Sequence, residues 1–207
     1  MVNGLWGKKI GMTQIFSDEQ KVVPVTAIDV SHWFVTQIKT LEKDGYAAAK
    51  MGHLKKKYTG EVFSHDWLKQ PNKYFSAFKE VRIQDAASDL TVGQPADVAA
   101  ILNKGDNVDV FGITKGAGFQ GVVKRHGFSG GRASHGSTFG RFTGSLSFMR
   151  SRGRVIKGKK MPGHMGVDQQ VMKNLEIVRI EPDAHVVLVK GSVPGKSGTL
   201  LFMRKSR

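Results

Sequence analysis

Between Gly112 and Gly166 the chain contains neither Asp nor Glu. These 55 residues carry eleven of the 32 Lys and Arg residues and 14 of the 25 glycines, and they show no helical or strand periodicity. Fixing a residue's backbone costs about 1–2 kcal/mol, and a segment this poor in aliphatic side chains buries too little apolar surface to offset that cost. A stretch of this length without regular structure is rare inside a compact domain and usually belongs to function. Its order is therefore expected to come from a partner, and its charge says that the partner is a polyanion.

The flanks contrast with it. The other 152 residues hold 21 basic and 17 acidic residues, so most of the net charge of +15 comes from the insert. We therefore divide the chain into a nearly neutral body, residues 1–111 with 167–207, and a basic arm, residues 112–166. In the body, Val22–Val30, Phe34–Ile38 and Val108–Ile113 alternate roughly as half-buried strands do. Leu175–Ile180 and Val186–Lys190, joined by the turn-rich EPDAH, read as a hairpin, and Leu200–Met203 closes the set. Six short strands with irregular links predict a mainly β fold, a small antiparallel barrel or sandwich. From about 45 to 103 the pattern shifts to a small α/β excursion. There His65–Glu80 spaces its aromatic residues in a loosely helical way, and Asp97–Leu102 reads as a short helix.

Several function classes fall away. The chain has no cysteine, which removes disulfides, thiol catalysis and the usual zinc knuckles. No run of 18 apolar residues is present, and the N-terminus lacks the apolar stretch of a secretory signal. Action in the compartment of synthesis is expected, with no membrane partner. Gly116–Gly121 fits GxGxxG after a strand, but dinucleotide binding needs a helix directly afterwards and an acid about 20 residues on. Gly127, Gly130 and Gly131 speak against that helix, and the next acid is Asp168. Gly191–Ser197 is one residue short of a phosphate-binding loop and is followed by a strand pattern, so we read it as a tight turn with an exposed Lys196. His126, His135 and His164 lack the close spacing and the carboxylate of a metal site, and Ser134, His135 and Ser137 lack an orienting acid nearby in sequence. No cofactor, metal or small-molecule substrate is expected.

What remains is phosphate chemistry. Arg125, Arg132, Arg141, Arg150, Arg152 and Arg154 suit bidentate contact with phosphate, while Lys115, Lys124, Lys157, Lys159 and Lys160 act as point charges. In such a setting His126, His135 and His164 serve as donors to phosphate or sugar. A solvated charged face normally mixes both signs, and this stretch does not. Phe119 sits beside Val122 and Val123, so local packing is expected of it. Phe139, Phe142 and Phe148 have few apolar neighbours in sequence, and stacking on unpaired bases competes with packing for them. An irregular arm fits folded RNA better than the major groove of duplex DNA, which takes a helix or a β-ribbon.

Four ordered motifs then point to a family: GLWGKKIGMTQIF at 4–16, KGAGFQGVVKRHGF at 115–128, SHGS at 134–137 and RGRVIKGKKMPGHMG at 152–166. With the ending EIVRIEPDAHVVLVKGSVPGKSG, they resemble the universal third protein of the large ribosomal subunit, in its bacterial type. The resemblance covers most of the chain and is weakest from about 50 to 100. It implies a closed antiparallel barrel like those of translation factors and an arm threaded through ribosomal RNA toward the peptidyl-transferase region. It also implies neighbouring large-subunit proteins as partners, a role early in subunit assembly, a cytoplasmic location and no enzymatic activity. Its RNA-contacting loop carries over onto Lys124, Arg125, His126, Arg132, His135 and Arg141, and onto 154–164. Gly140, Thr143, Ser147, Phe148 and Arg152 depart from the family's usual arm, where His, Pro, Gly, Gln and Pro are frequent. Phe148 stands where some bacteria methylate the Gln. The rivals are an RNA-modifying enzyme with a basic substrate-binding arm, which needs a cofactor pocket or an acid–base pair, and a DNA-compacting protein, which should bind duplex DNA as tightly as ribosomal RNA.

Overall fold

A computed structural model describes residues 4–17, 19–61, 63–83, 90–96, 101–147 and 153–206. Thr114–Asp168 forms one compact unit, and the sequence on either side of it forms the other. The described structure is mainly β, as its alternation suggests.

The described residues of the flanking unit form the strands β1 (Leu5–Phe16), β2 (Val22–Asp29), β3 (Trp33–Lys39), β4 (Ala48–Leu54), β5 (Phe75–Arg82), β6 (Asn107–Ile113), β9 (Gln169–Glu181), β10 (Val186–Lys190) and β11 (Leu200–Lys205). The numbers between β6 and β9 belong to the inserted unit, with β7 (Gly118–Gln120) and β8 (Gly163–Met165). Among the described residues the α-helices are short: α1 (Leu41–Asp44), α2 (Pro71–Tyr74) and α3 (Val122–His126).

Six strands pair antiparallel in the order β1-β11-β6-β9-β10-β2, and β2 returns to β1, so the ring of pairings closes. Leu5, Ile28, Val108, Val110, Ile177, Val187, Val189, Leu201 and Met203 fill its interior, each fully buried. Those residues alternate along their strands with more exposed ones, which is why the 2-residue period was legible. Strand β1 was not. Gly7, Lys8, Lys9 and Gly11 break its apolar alternation in sequence, and for Gly7 and Lys9 the reason is a contact distant along the chain. A Cβ at Gly7 would lie 2.6 Å from the Ile28 side chain and 2.9 Å from the Asp29 carbonyl oxygen. Lys9 is buried, and its Nζ donates to the carbonyls of Val193 (2.8 Å) and Gly195 (3.1 Å). It thereby holds the loop that superficially resembles a phosphate cradle, where Lys196 is exposed as expected. Hydrogen bonds from a charged donor contribute about 1.5–3 kcal/mol each, enough to keep a lysine in a strand.

The excursion is a three-stranded antiparallel sheet, β3-β4-β5. Trp33, Val35, Met51 and Val81 pack against Trp6, Leu200 and Phe202 of the ring strands. A second apolar cluster joins Leu54, Trp67 and Phe75, with Tyr58, Phe63, Tyr74 and Phe78 around it. The helical reading of His65–Glu80 is corrected here. His65–Leu68 is a single 3-10 turn, Pro71 opens the four-residue α2, and Phe75 onward is β5. The shift in register between His53 and Leu54, opposite Ala77 and Phe75, displaces the aromatic residues from strict alternation and gives them their misleading spacing. Of the expected helix Asp97–Leu102, residues 97–100 lie outside the described residues. Leu102 packs into the ring's core.

Candidate nucleic-acid interface

The inserted unit is tied at its base by backbone. The Thr114 N–H donates to the Asp168 carbonyl (2.9 Å), the Asp168 N–H to Thr114 Oγ1 (3.2 Å) and the Ala117 N–H to the Met165 carbonyl (2.9 Å). Gly166 has φ of 84°, and a Cβ there would strike the Lys115 carbonyl oxygen, so no other residue fits without movement. Val167 follows at φ 60°, a left-handed conformation that a β-branched residue adopts only under constraint.

Above this tie, β7 and β8 pair antiparallel with Phe119 opposite His164. The segment that begins at Gly121 then turns into α3, which ends on Gly127 in a left-handed cap (φ 71°). This corrects the expectation that glycines exclude a helix after Gly116–Gly121: Gly127 terminates one turn instead of preventing it. The helix is five residues long, and Asp168 is the first acid after it, so the motif still lacks the acid that a dinucleotide site requires. The arm is also not irregular throughout, since a short ribbon and a helical turn form its base.

Two of the candidate side chains have a structural role. Arg125 Nη1 donates to the Met161 carbonyl (2.7 Å), and His126 Nε2 lies 3.1 Å from the same oxygen. Both are half-buried, and together they hook α3 to the segment leading into β8. Val122, on the same helix, is 1% exposed. The expectation that Phe119 packs beside Val122 and Val123 fails, because Phe119 is 78% exposed. Its strand turns Phe119 away while the helix turns Val122 inward. A period-2 reading of Gly118–Gln120 would have separated the two.

The other described candidates face solvent. Lys115, Lys124, Arg132, His135, Arg141, Arg154, Lys157, Lys159, Lys160 and His164 are all exposed. Arg150, Arg152 and Phe148 lie outside the described residues. Phe139 and Phe142 meet edge to face, with centroids 6.2 Å apart, and both are exposed. The Gly131 N–H donates to the Gly140 carbonyl (3.0 Å) and so brings the two ends of residues 131–140 together.

The electrostatics divide sharply. In the flanking unit several acids are matched: Lys39 with Glu80 (2.8 Å), Lys190 with Glu176 (3.0 Å), Lys205 with Asp106 (2.9 Å) and Arg204 with Asp109 (3.2 Å). The hydrogen bond from Lys39 holds the Glu80 carboxyl below the usual carboxylate range, and that from Lys205 does the same for Asp106. Among the described residues of 114–168, no basic side chain forms an ion pair, and Asp168 is the only acid. Three or more potential metal ligands are nowhere grouped among the described residues, and none of their helices is long and apolar enough to cross a membrane. An exposed, uncompensated set of Arg, Lys and His donors can neutralise phosphates; it offers no base, acid or nucleophile arranged for chemistry.

Comparison with known proteins agrees with this chemistry. Residues 79–186 match the family model described as Ribosomal protein L3. The "Large ribosomal subunit protein uL3" of Alkaliphilus metalliredigens (strain QYMF) is 44% identical over 204 residues, covering 97% of this chain and 96% of that protein. The protein of the same name from Pelotomaculum thermopropionicum is 41% identical over 209 residues, covering 100% of this chain and 98% of its own.

Proposed function

The chain belongs to the ribosomal protein L3 family in its bacterial type, and on that premise we propose that it is a structural, non-enzymatic constituent of the large ribosomal subunit that binds large-subunit ribosomal RNA. The observation that carries this is the exposed basic surface of Thr114–Asp168, where no described basic side chain forms an ion pair, whereas several acids of the flanking unit are paired with Lys or Arg. We read the six-stranded ring as a barrel of the translation-factor kind that docks one part of the RNA, beside neighbouring large-subunit proteins. The inserted unit is the arm. It lies among closely packed phosphates and extends toward the peptidyl-transferase region. Lys115, Lys124, Arg132, Arg141, Arg150, Arg152, Arg154, Lys157, Lys159 and Lys160 neutralise those phosphates, and His135 and His164 donate to phosphate or sugar. Arg125 and His126 combine RNA contact with holding α3 in place. Binding of this kind joins separate RNA segments early in subunit assembly, in the cytoplasm where the ribosome is built.

Phosphate neutralisation has a measurable signature. The logarithm of affinity falls with the logarithm of salt at a slope of roughly −0.7 per single-strand phosphate contacted. Replacing Lys157, Lys159 and Lys160 together by Ala is expected to make the slope shallower by about 2 with a large-subunit RNA fragment. A slope identical to that of the unaltered chain, or equal competition by duplex DNA, overturns the reading.

A further inference from the structure

Phe139 and Phe142 are 70% and 64% exposed, on a unit whose apolar side chains are few. Two such rings left in water lose the burial that would otherwise favour them, about 25 cal/mol per Å². Their rings meet at 67°, so each leaves one face open, and together they form a corner. The corner borders a groove of about 1050 Å³ whose wall continues through Phe128, Gly130, Gly131 and Ser145. The glycines bring backbone to the surface of that groove. A Cβ at Gly131 would lie 2.8 Å from the Phe139 carbonyl oxygen, so the approach of the two segments excludes a side chain there. No acid lines the groove, and Arg132 and Arg141, each one residue from it in sequence, are exposed.

We propose that this groove is a receptor for a single unpaired nucleobase of RNA, stacked on the Phe139–Phe142 corner, with its flanking phosphates held by Arg132 and Arg141. The inference rests on the reading of the arm as an RNA-binding element and specifies what that element recognises. An aromatic face accepts any base and contributes about 1–3 kcal/mol by stacking. The groove, just above the roughly 300–1,000 Å³ typical of ligand sites, has room for the base and its sugar. Ser129, whose hydroxyl can meet the base edge, and Ser145 line it. Charge complementarity selects nucleic acid over an apolar protein side chain: two exposed arginines adjoin lining residues in sequence, and no carboxylate lines the groove.

The test compares two RNA hairpins that differ by one bulged nucleotide, binding to the full chain at fixed salt. The unaltered chain is expected to prefer the bulged hairpin by about tenfold, the equivalent of about 1.4 kcal/mol of stacking. Phe139→Leu with Phe142→Leu keeps apolar bulk but removes the aromatic faces, and should abolish the preference while leaving the salt slope unchanged. Retention of the preference in that variant, or its absence in the unaltered chain, overturns the receptor. Loss of all salt-dependent RNA binding by the unaltered chain would instead overturn the function on which the receptor rests.

Discussion

His53 shows how one residue's surroundings become a property of the whole fold. Its ring is 5% exposed, meets Trp33 edge to face at 5.1 Å and has its Nδ1 2.9 Å from Ser76 Oγ. Burial, reinforced by the charge of Lys8, lowers its pKa from the ordinary value of 6.5 to about 4. Asp29 acts in the opposite direction and His32 in the same one, without reversing the sign. Above about pH 6.5 His53 is neutral whether the chain is folded or not. Between that pH and about 4 only the unfolded chain takes up the proton, so stability falls as pH falls through this window. Up to about 3 kcal/mol is at stake, the free-energy equivalent of the difference between the two values. Denaturant unfolding of the chain and of a His53→Gln variant at pH 7 and pH 4.5 should give a smaller pH effect in the variant. Equal effects would show that His53 is not the sensing group.

At the level of elements, the short ribbon and α3 depend on one carbonyl oxygen. Met161 accepts from Arg125 and is approached by His126, and this joins a five-residue helix to β8. So short a helix is not stable by itself. Arg125→Ala should therefore raise the hydrogen-exchange rates of the Val122–His126 and Gly163–Met165 amides, by a local cost of about 1–3 kcal/mol, with unfolding of the β strands unchanged. Protection that survived the change would place the anchor elsewhere. This hook could not be read from sequence, because it joins residues 36 apart through a backbone atom that carries no residue signature. The same limit explains other misses. Strand β1 hides behind Gly7 and Lys9, whose reasons for being there are contacts with Ile28, Val193 and Gly195 far along the chain. By contrast β6, β10 and β11 were visible because their fully buried apolar residues, Val108 and Val110, Val187 and Val189, Leu201 and Met203, recur at every second position. The acid-free composition of the insert was visible for a similar reason: it needs no knowledge of folding. The exposure of Phe119 did need it, and the expectation from neighbouring valines was wrong.

For the molecule as a whole, the insertion point matters most. Ile113 and Gln169, which flank the inserted unit, are register partners in the β6–β9 ladder. A short Asn-Gly link can join positions so close in a hairpin. Replacing 114–168 by that link should leave a cooperatively unfolding β protein whose RNA affinity has lost most of its salt dependence. Thermal unfolding followed by circular dichroism, with RNA titration at several salt concentrations, tests both halves. A chain that no longer unfolds cooperatively would show that the flanking strands need the insert. The order of the ring has a consequence for birth on the ribosome. Strand β11, Leu200–Lys205, lies between β1 and β6 and is made after every other strand of the ring. A nascent chain therefore carries two unsealed edges, on β1 and β6, until β11 has been made, while its cationic middle has already emerged and can meet RNA before the ring has closed.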